Sequence, residues 1–134
     1  MRKAARAISR VYDAALAPVG MNVGQLAILR AIGRAQAGGI LLSRLAETMV
    51  MDSTSLYRAL APLGRQEWVK VVAEQQGRSK LVRLTDAGRD ATARAAAHWE
   101  AVQTVIVDDF GIERWAAVQS AIADLTAIGV RLNR

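Results

Sequence analysis

The sequence predicts a mainly α-helical chain with one small β-hairpin set in its middle. Three observations carry that prediction. Apolar residues recur at spacings of three and four through most of the 134 residues, the period of an amphipathic helix. The stretch VKVVAEQQGRSKLVRL, residues 69–84, breaks that period: it is β-branched and alternating, with a short polar gap in its centre. Hydrophobic residues make up 52% and charged residues 22%, a composition that supports a packed core and argues against disorder.

The first helix is expected over residues 2–17. Ile8, Val11, Tyr12, Ala15 and Val19 form one stripe, and Pro18 with Gly20 ends it. A second helix is expected over 23–35, with Leu26, Leu29 and Ile32 facing the core, and QAGGI breaks it. A short third helix, SRLAETMV, takes Ser43 as its N-cap and buries Leu45, Ala46 and Met49. Asp52 caps a fourth helix, 53–66, whose buried stripe is Leu56, Leu60 and Leu63. Pro62 removes a bond to the carbonyl of Arg58 and is expected to kink or shorten that helix. The hairpin follows as strands 69–74 and 79–84, with its tip at Gln75–Arg78 and Gly77 for the turn. Thr85 then caps a long helix to about Val107, DDFG separates it from the next, and a last helix covers about 112–132.

Several function classes fall away. There is no cysteine, which excludes disulfides, thiol redox sensing and thiolate metal sites. The one histidine, His98, has no partner ligands at metal-binding spacing, so no metal and no cofactor are expected. No phosphate-binding glycine loop and no catalytic constellation is present, and an enzyme is not expected; Asp108-Asp109 reads as a helix-linking turn. The basic start MRKAARAISR leads into no continuous apolar segment, and no run approaches the ~20 residues that span a bilayer. No membrane partner is expected, and the cytoplasm is the expected location.

The charge is uneven. The net charge is +6; residues 1–90 hold 14 Lys/Arg against 7 Asp/Glu, and residues 91–134 hold 4 against 5. A polyanion such as nucleic acid suits the basic part, although charge alone speaks only of non-specific attraction.

Three helices followed by a two-stranded hairpin make a helix-turn-helix with a β-wing, here residues 22–88. Helix 42–49 comes first, MVM is the turn, and helix 53–66 is the candidate recognition helix. At 100° per residue, Thr54, Arg58 and Ala61 lie opposite its buried stripe, with Ser55 and Tyr57 on the flanks. Ser53, Thr54, Ser55, Tyr57 and Arg58 are therefore expected to meet DNA, since hydroxyls and a guanidinium can read base edges in a major groove. At the hairpin, Arg78 suits a minor groove and Lys80 or Arg83 a phosphate. An N-cap cluster and an ordinary surface hairpin would also produce these stretches.

The whole chain resembles the MarR family of winged-helix transcriptional regulators. The marks are VGQLAILRAI, LSRLAETM, MDSTSLYRALAPL, WVKVV, GRSKLVRLTDAGR and the paired long C-terminal helices. The resemblance implies a single domain, 1–134, in which helices in 1–20 and 89–134 flank the winged helix-turn-helix and join an obligate dimer. It implies that helix 53–66 enters the major groove and Arg78 the minor groove. It also implies a pocket for a small, often aromatic or phenolic, ligand between the dimerisation helices and the winged helix, where Tyr12, Gln25 and Trp99 stand by position. Two positions depart from the family pattern: Gln76 stands where an Asp usually precedes the wing arginine, and Glu67 stands where Gly is usual.

A dimer is also the reading of the terminal helices themselves. Trp99, Phe110 and the stripe Trp115, Val118, Ile122, Leu125 and Leu132 are more apolar surface than one helix pair needs. With Ile8 and Val11 they form the expected interface, the other reading being packing onto the first helix. The expected function is a dimeric double-stranded DNA-binding repressor on a near-palindromic operator, released by a small molecule. The alternative is a winged-helix adaptor for another protein.

Overall fold

A computed structural model describes residues 1–35, 37–73 and 79–134. The chain divides into two compact units, Met1–Trp99 and Glu100–Arg134.

The first unit begins with α1 (Arg2–Leu16), which runs into a 3-10 turn, Ala17–Val19, closed by Gly20 at φ 73°. The stripe predicted on α1 divides in two. Tyr12 is buried and Ala15 and Val19 half-buried, whereas Ile8 and Val11 are 38% and 41% exposed. Helix α2 (Val23–Gly33) opens on a capping box that the sequence reading missed: Asn22 Oδ1 accepts from Gln25 N–H, and Gln25 Oε1 accepts from Asn22 N–H. Asp13 of α1 accepts a further bond from Val23 N–H at 2.8 Å, which ties the two helices at their corner.

A two-residue strand, β1 (Ile40–Leu41), leads straight into α3 (Leu42–Met49). Ser43 is therefore not an N-cap. It lies inside the helix, whose N-cap is Leu41 with no side-chain bond, because the chain turns from strand to helix without a loop. Helix α4 (Ser53–Arg65) is capped by Asp52 as expected. Pro62 does not end it: the helix continues to Arg65, and Pro62 O accepts from Gln66 N–H. Proline's missing N–H costs one bond to the carbonyl of Arg58, and the turn beyond it supplies its own bonds.

Strands β2 (Val69–Ala73) and β3 (Lys80–Leu84) pair antiparallel from Val69↔Leu84 to Ala73↔Lys80. β1 adds to the free edge of β3, giving a three-stranded sheet in the order β1-β3-β2 where the sequence had shown only a hairpin. The predicted tip falls outside the described residues. Leu16, Leu26, Leu29, Leu45, Leu56, Leu63 and Val82 are fully buried and join the helices to the sheet in one core, to which the start of α5 (Asp86–Phe110) adds Ala91 and Ala95.

Helix α5 runs three residues past the predicted end, so Asp108 and Asp109 belong to its last turn and do not form a linking loop. Gly111 at φ 103° alone makes the break before α6 (Ile112–Leu132). In this second unit Phe110 and Trp115 meet edge to face at 6.4 Å, and Arg114 stacks over Phe110 at 4.3 Å. Helix α6 buries none of its residues.

Candidate nucleic-acid interface

The turn between α3 and α4 is built by backbone geometry. Val50 stands at φ 53°, its N–H bonds Glu47 O, and Met51 N–H bonds Ala46 O at 2.9 Å. This is a Schellman closure with a β-branched residue in the left-handed position, a conformation that costs most side chains roughly 1–2 kcal/mol. It releases the chain into Asp52, whose Oδ1 accepts from Ser55 N–H at 2.7 Å and whose Oδ2 accepts from Ser55 Oγ at 2.9 Å. These bonds, the backbone one first, hold the Asp52 carboxyl below the ordinary carboxylate range.

With the first turn fixed, Leu56, Leu60 and Leu63 bury at 1%, 4% and 0% exposure, and Ser53, Thr54, Ser55, Tyr57, Arg58 and Ala61 stay exposed. Ser55 is partly spoken for, since its hydroxyl proton serves the cap. Arg58 has neither ion pair nor hydrogen bond among the described residues, where the ion pairs are Arg44–Glu47, Arg89–Asp86 and Arg94–Asp90.

The wing is fastened to the far end of α4. Trp68 N–H bonds Leu63 O and Glu67 N–H bonds Gly64 O, a second Schellman closure, with Glu67 itself at φ 61°. Glu67, at the position where the resemblance expects glycine, thus stands in the left-handed conformation that glycine favours, and Gly64 contributes a carbonyl to the closure. Thr85 completes the junction. Its N–H bonds Trp68 O, its hydroxyl donates to Glu67 O, and Oγ1 accepts from Gly88 N–H at 3.0 Å as the N-cap of α5. On the wing, Lys80 and Arg83 are exposed, and Lys80 Nζ stands 6.0 Å from the centre of the Tyr57 ring. Arg78 lies outside the described residues.

A second feature of the same unit concerns small molecules. Tyr12 and Trp99 stack at 5.7 Å and 12°, and the Arg30 guanidinium covers Trp99 at 4.5 Å. Burial pushes the Tyr12 hydroxyl above its ordinary pKa. Beside this pile lies a cavity of about 330 Å³ between α2, the end of α3 and Trp99, lined in part by Arg30, Arg34, Thr48 and Met49. Of the three positions expected there, Trp99 lines it, Tyr12 supports Trp99 from behind, and Gln25 is committed to the cap of α2. The sequence reading missed Arg30 and Arg34. Their spacing of four on the α2 face beside the core stripe was the available signal.

Among the described residues, no single helix is long and apolar enough to cross a membrane. Of the residues expected at an interface between copies, Ile8, Val11, Val118, Ile122 and Leu125 are 38–55% exposed, and Trp115 is half-buried.

The family model for the winged helix DNA-binding domain matches residues 21–88. No curated protein sequence matches the chain. Among solved structures, the transcriptional regulator MosR of M. tuberculosis in complex with DNA is 31% identical, with a TM-score of 0.88 over 99% of this chain and 95% of that one. A MarR-family transcriptional regulator from Rhodococcus sp. RHA1 is 19% identical, with a TM-score of 0.82 over 92% of this chain and 87% of that one. CouR from Rhodococcus jostii RHA1, bound to p-coumaroyl-CoA, is 19% identical, with a TM-score of 0.80 over 92% and 86%. The chain belongs to the winged-helix DNA-binding family, and its fold is that of the MarR-family transcriptional regulators.

Proposed function

We propose that the protein is a dimeric, sequence-specific repressor that binds double-stranded DNA through α4 and the wing and lets go when a small ligand binds. The observation that carries this reading is the outward face of α4. Arg58 has no partner among the described residues and is flanked by exposed hydroxyls, over a stripe of leucines that fixes the helix in place. An unpaired guanidinium on a rigid, exposed helix suits bidentate recognition of a guanine edge or a phosphate. The sequence adds Arg78 for the minor groove, and Lys80 is assigned to phosphate.

A homodimer is supported by α6, on which Val118, Ile122, Leu125, Ile128 and Leu132 are all at least 38% exposed. Contiguous apolar surface of this kind is characteristic of an interface. For the ligand, the cavity beside Trp99 offers an aromatic face and two guanidinium groups, a chemistry that suits an aromatic acid. Its wall at Thr48 and Met49 ends at the strained Val50 turn, so a ligand there would bear on the entry to α4.

A gel shift with the DNA upstream of the protein's own gene tests the reading, with a thermal-shift screen of aromatic acids beside it. The expected results are a discrete shifted band, displaced by any acid that raises the melting temperature. Absence of binding to that DNA, with a folded protein, would favour the adaptor reading.

A further inference from the structure

Tyr57 and Lys80 come from the two separate elements of the interface, the outward face of α4 and the first residue of β3. Lys80 Nζ lies 6.0 Å from the Tyr57 ring centre, at the outer limit of the range over which a ring face attracts a cation. Tyr57 is 48% exposed and Lys80 is exposed, and neither has another partner among the described residues. A lysine alone on a wing samples many rotamers, and ordering one costs up to about 2 kcal/mol. The ring removes part of that freedom before DNA arrives and leaves the ammonium's three donors for a phosphate.

We propose that Tyr57 is a positioning residue for Lys80: its ring holds the ammonium so that α4 and the wing engage the DNA backbone as one unit, and Tyr57 itself reads no base. The inference rests on the DNA-binding reading above. It differs from the direct role that an exposed tyrosine on this face would otherwise be given. The ring face is what matters, so the hydroxyl is dispensable.

The test uses the full-length protein and the DNA upstream of its gene, with Tyr57→Phe, Tyr57→Ala, Lys80→Ala and the double variant Tyr57→Ala/Lys80→Ala. Tyr57→Phe is expected to bind as wild type. Tyr57→Ala is expected to weaken binding about two- to fivefold, the scale of an exposed cation–π contact. Its slope of log K against log salt is expected to flatten toward that of Lys80→Ala, which loses up to about 0.9 for the one phosphate contact of each protomer. The double variant is expected to be no weaker than Lys80→Ala. A loss in Tyr57→Phe equal to that in Tyr57→Ala, or additive losses in the double variant, would overturn the proposal. Should the wild type bind no DNA, the DNA-binding reading fails first. The contact is then read without DNA, from the Lys80 ε-methylene proton shifts. An upfield shift that persists in Tyr57→Phe and vanishes in Tyr57→Ala supports the pairing, and random-coil values in the wild type refute it.

Discussion

Gly88 of α5 lies flush against the backbone of Trp68: a Cβ on Gly88 would stand 1.9 Å from the Trp68 carbonyl oxygen and 2.8 Å from its carbon. The same carbonyl accepts from Thr85 N–H. The TDAG stretch is therefore the joint at which the end of α4, the base of the wing and the start of α5 are locked together. Gly88→Ala is expected to destabilise the protein by about 3 kcal/mol, the upper end for forced overpacking, because backbone must move. Gly64→Ala, with nothing within 4 Å of its Cβ, is the control and is expected to stabilise by about 0.5–1 kcal/mol. Urea denaturation of both variants measures the contrast.

Glu67 carries the left-handed conformation that closes α4, at φ 61°. Glu67→Gly is expected to stabilise the fold by about 1 kcal/mol, since glycine avoids most of the left-handed cost and gives back part of it as freedom in the unfolded chain. A melting temperature that falls would mean that the Glu67 side chain contributes something beyond its backbone.

The Asp52 cap should show in the pH dependence of α4. The Ser55 N–H and hydroxyl hold the carboxyl below its ordinary pKa. Its charge therefore stabilises the folded state above the unfolded carboxylate pKa, and that contribution disappears as pH falls through the lowered value. Loss of structure on acidification is expected to be smaller in Asp52→Asn, which keeps an oxygen acceptor but does not titrate. Circular dichroism against pH compares the two.

The exposed face of α6 predicts a dimer. Ile122, 55% exposed, is a position where a charge would be harmless in a monomer and costly in an apolar interface. Ile122→Asp is expected to lower the mass seen by light scattering. A variant that remains a folded dimer would remove this stripe from the interface.

Much of this was legible in the sequence because period and capping are local. The Leu56–Leu60–Leu63 stripe, the Asp52 cap and the strand patterns of 69–73 and 80–84 each depend on near neighbours, and each is found in place. What escaped depends on distant partners or on competition between neighbouring local signals. β1 is two residues long and exists only because β3 offers an edge. Ser43 has the chemistry of a cap, yet the preceding strand already starts the helix. The Asn22–Gln25 capping box is local, but its polar pair also fits other roles and was not read as a cap. The Arg30–Trp99–Tyr12 pile joins residues from three helices and leaves no local pattern.

If the outward face of α4 grips DNA, Arg58 is the side chain on that face whose loss is felt most. The measurement is the affinity of wild type and Arg58→Ala for a two-fold symmetric site upstream of the gene, with half-site centres about 10 base pairs apart, at several salt concentrations. A steep salt dependence is expected for wild type and a loss of about 1–3 kcal/mol per half-site in the variant, with relaxed preference at one base pair of each half-site if the contact is to a base. A folded Arg58→Ala protein that binds this DNA as tightly as wild type at every salt concentration would contradict that role of the α4 face.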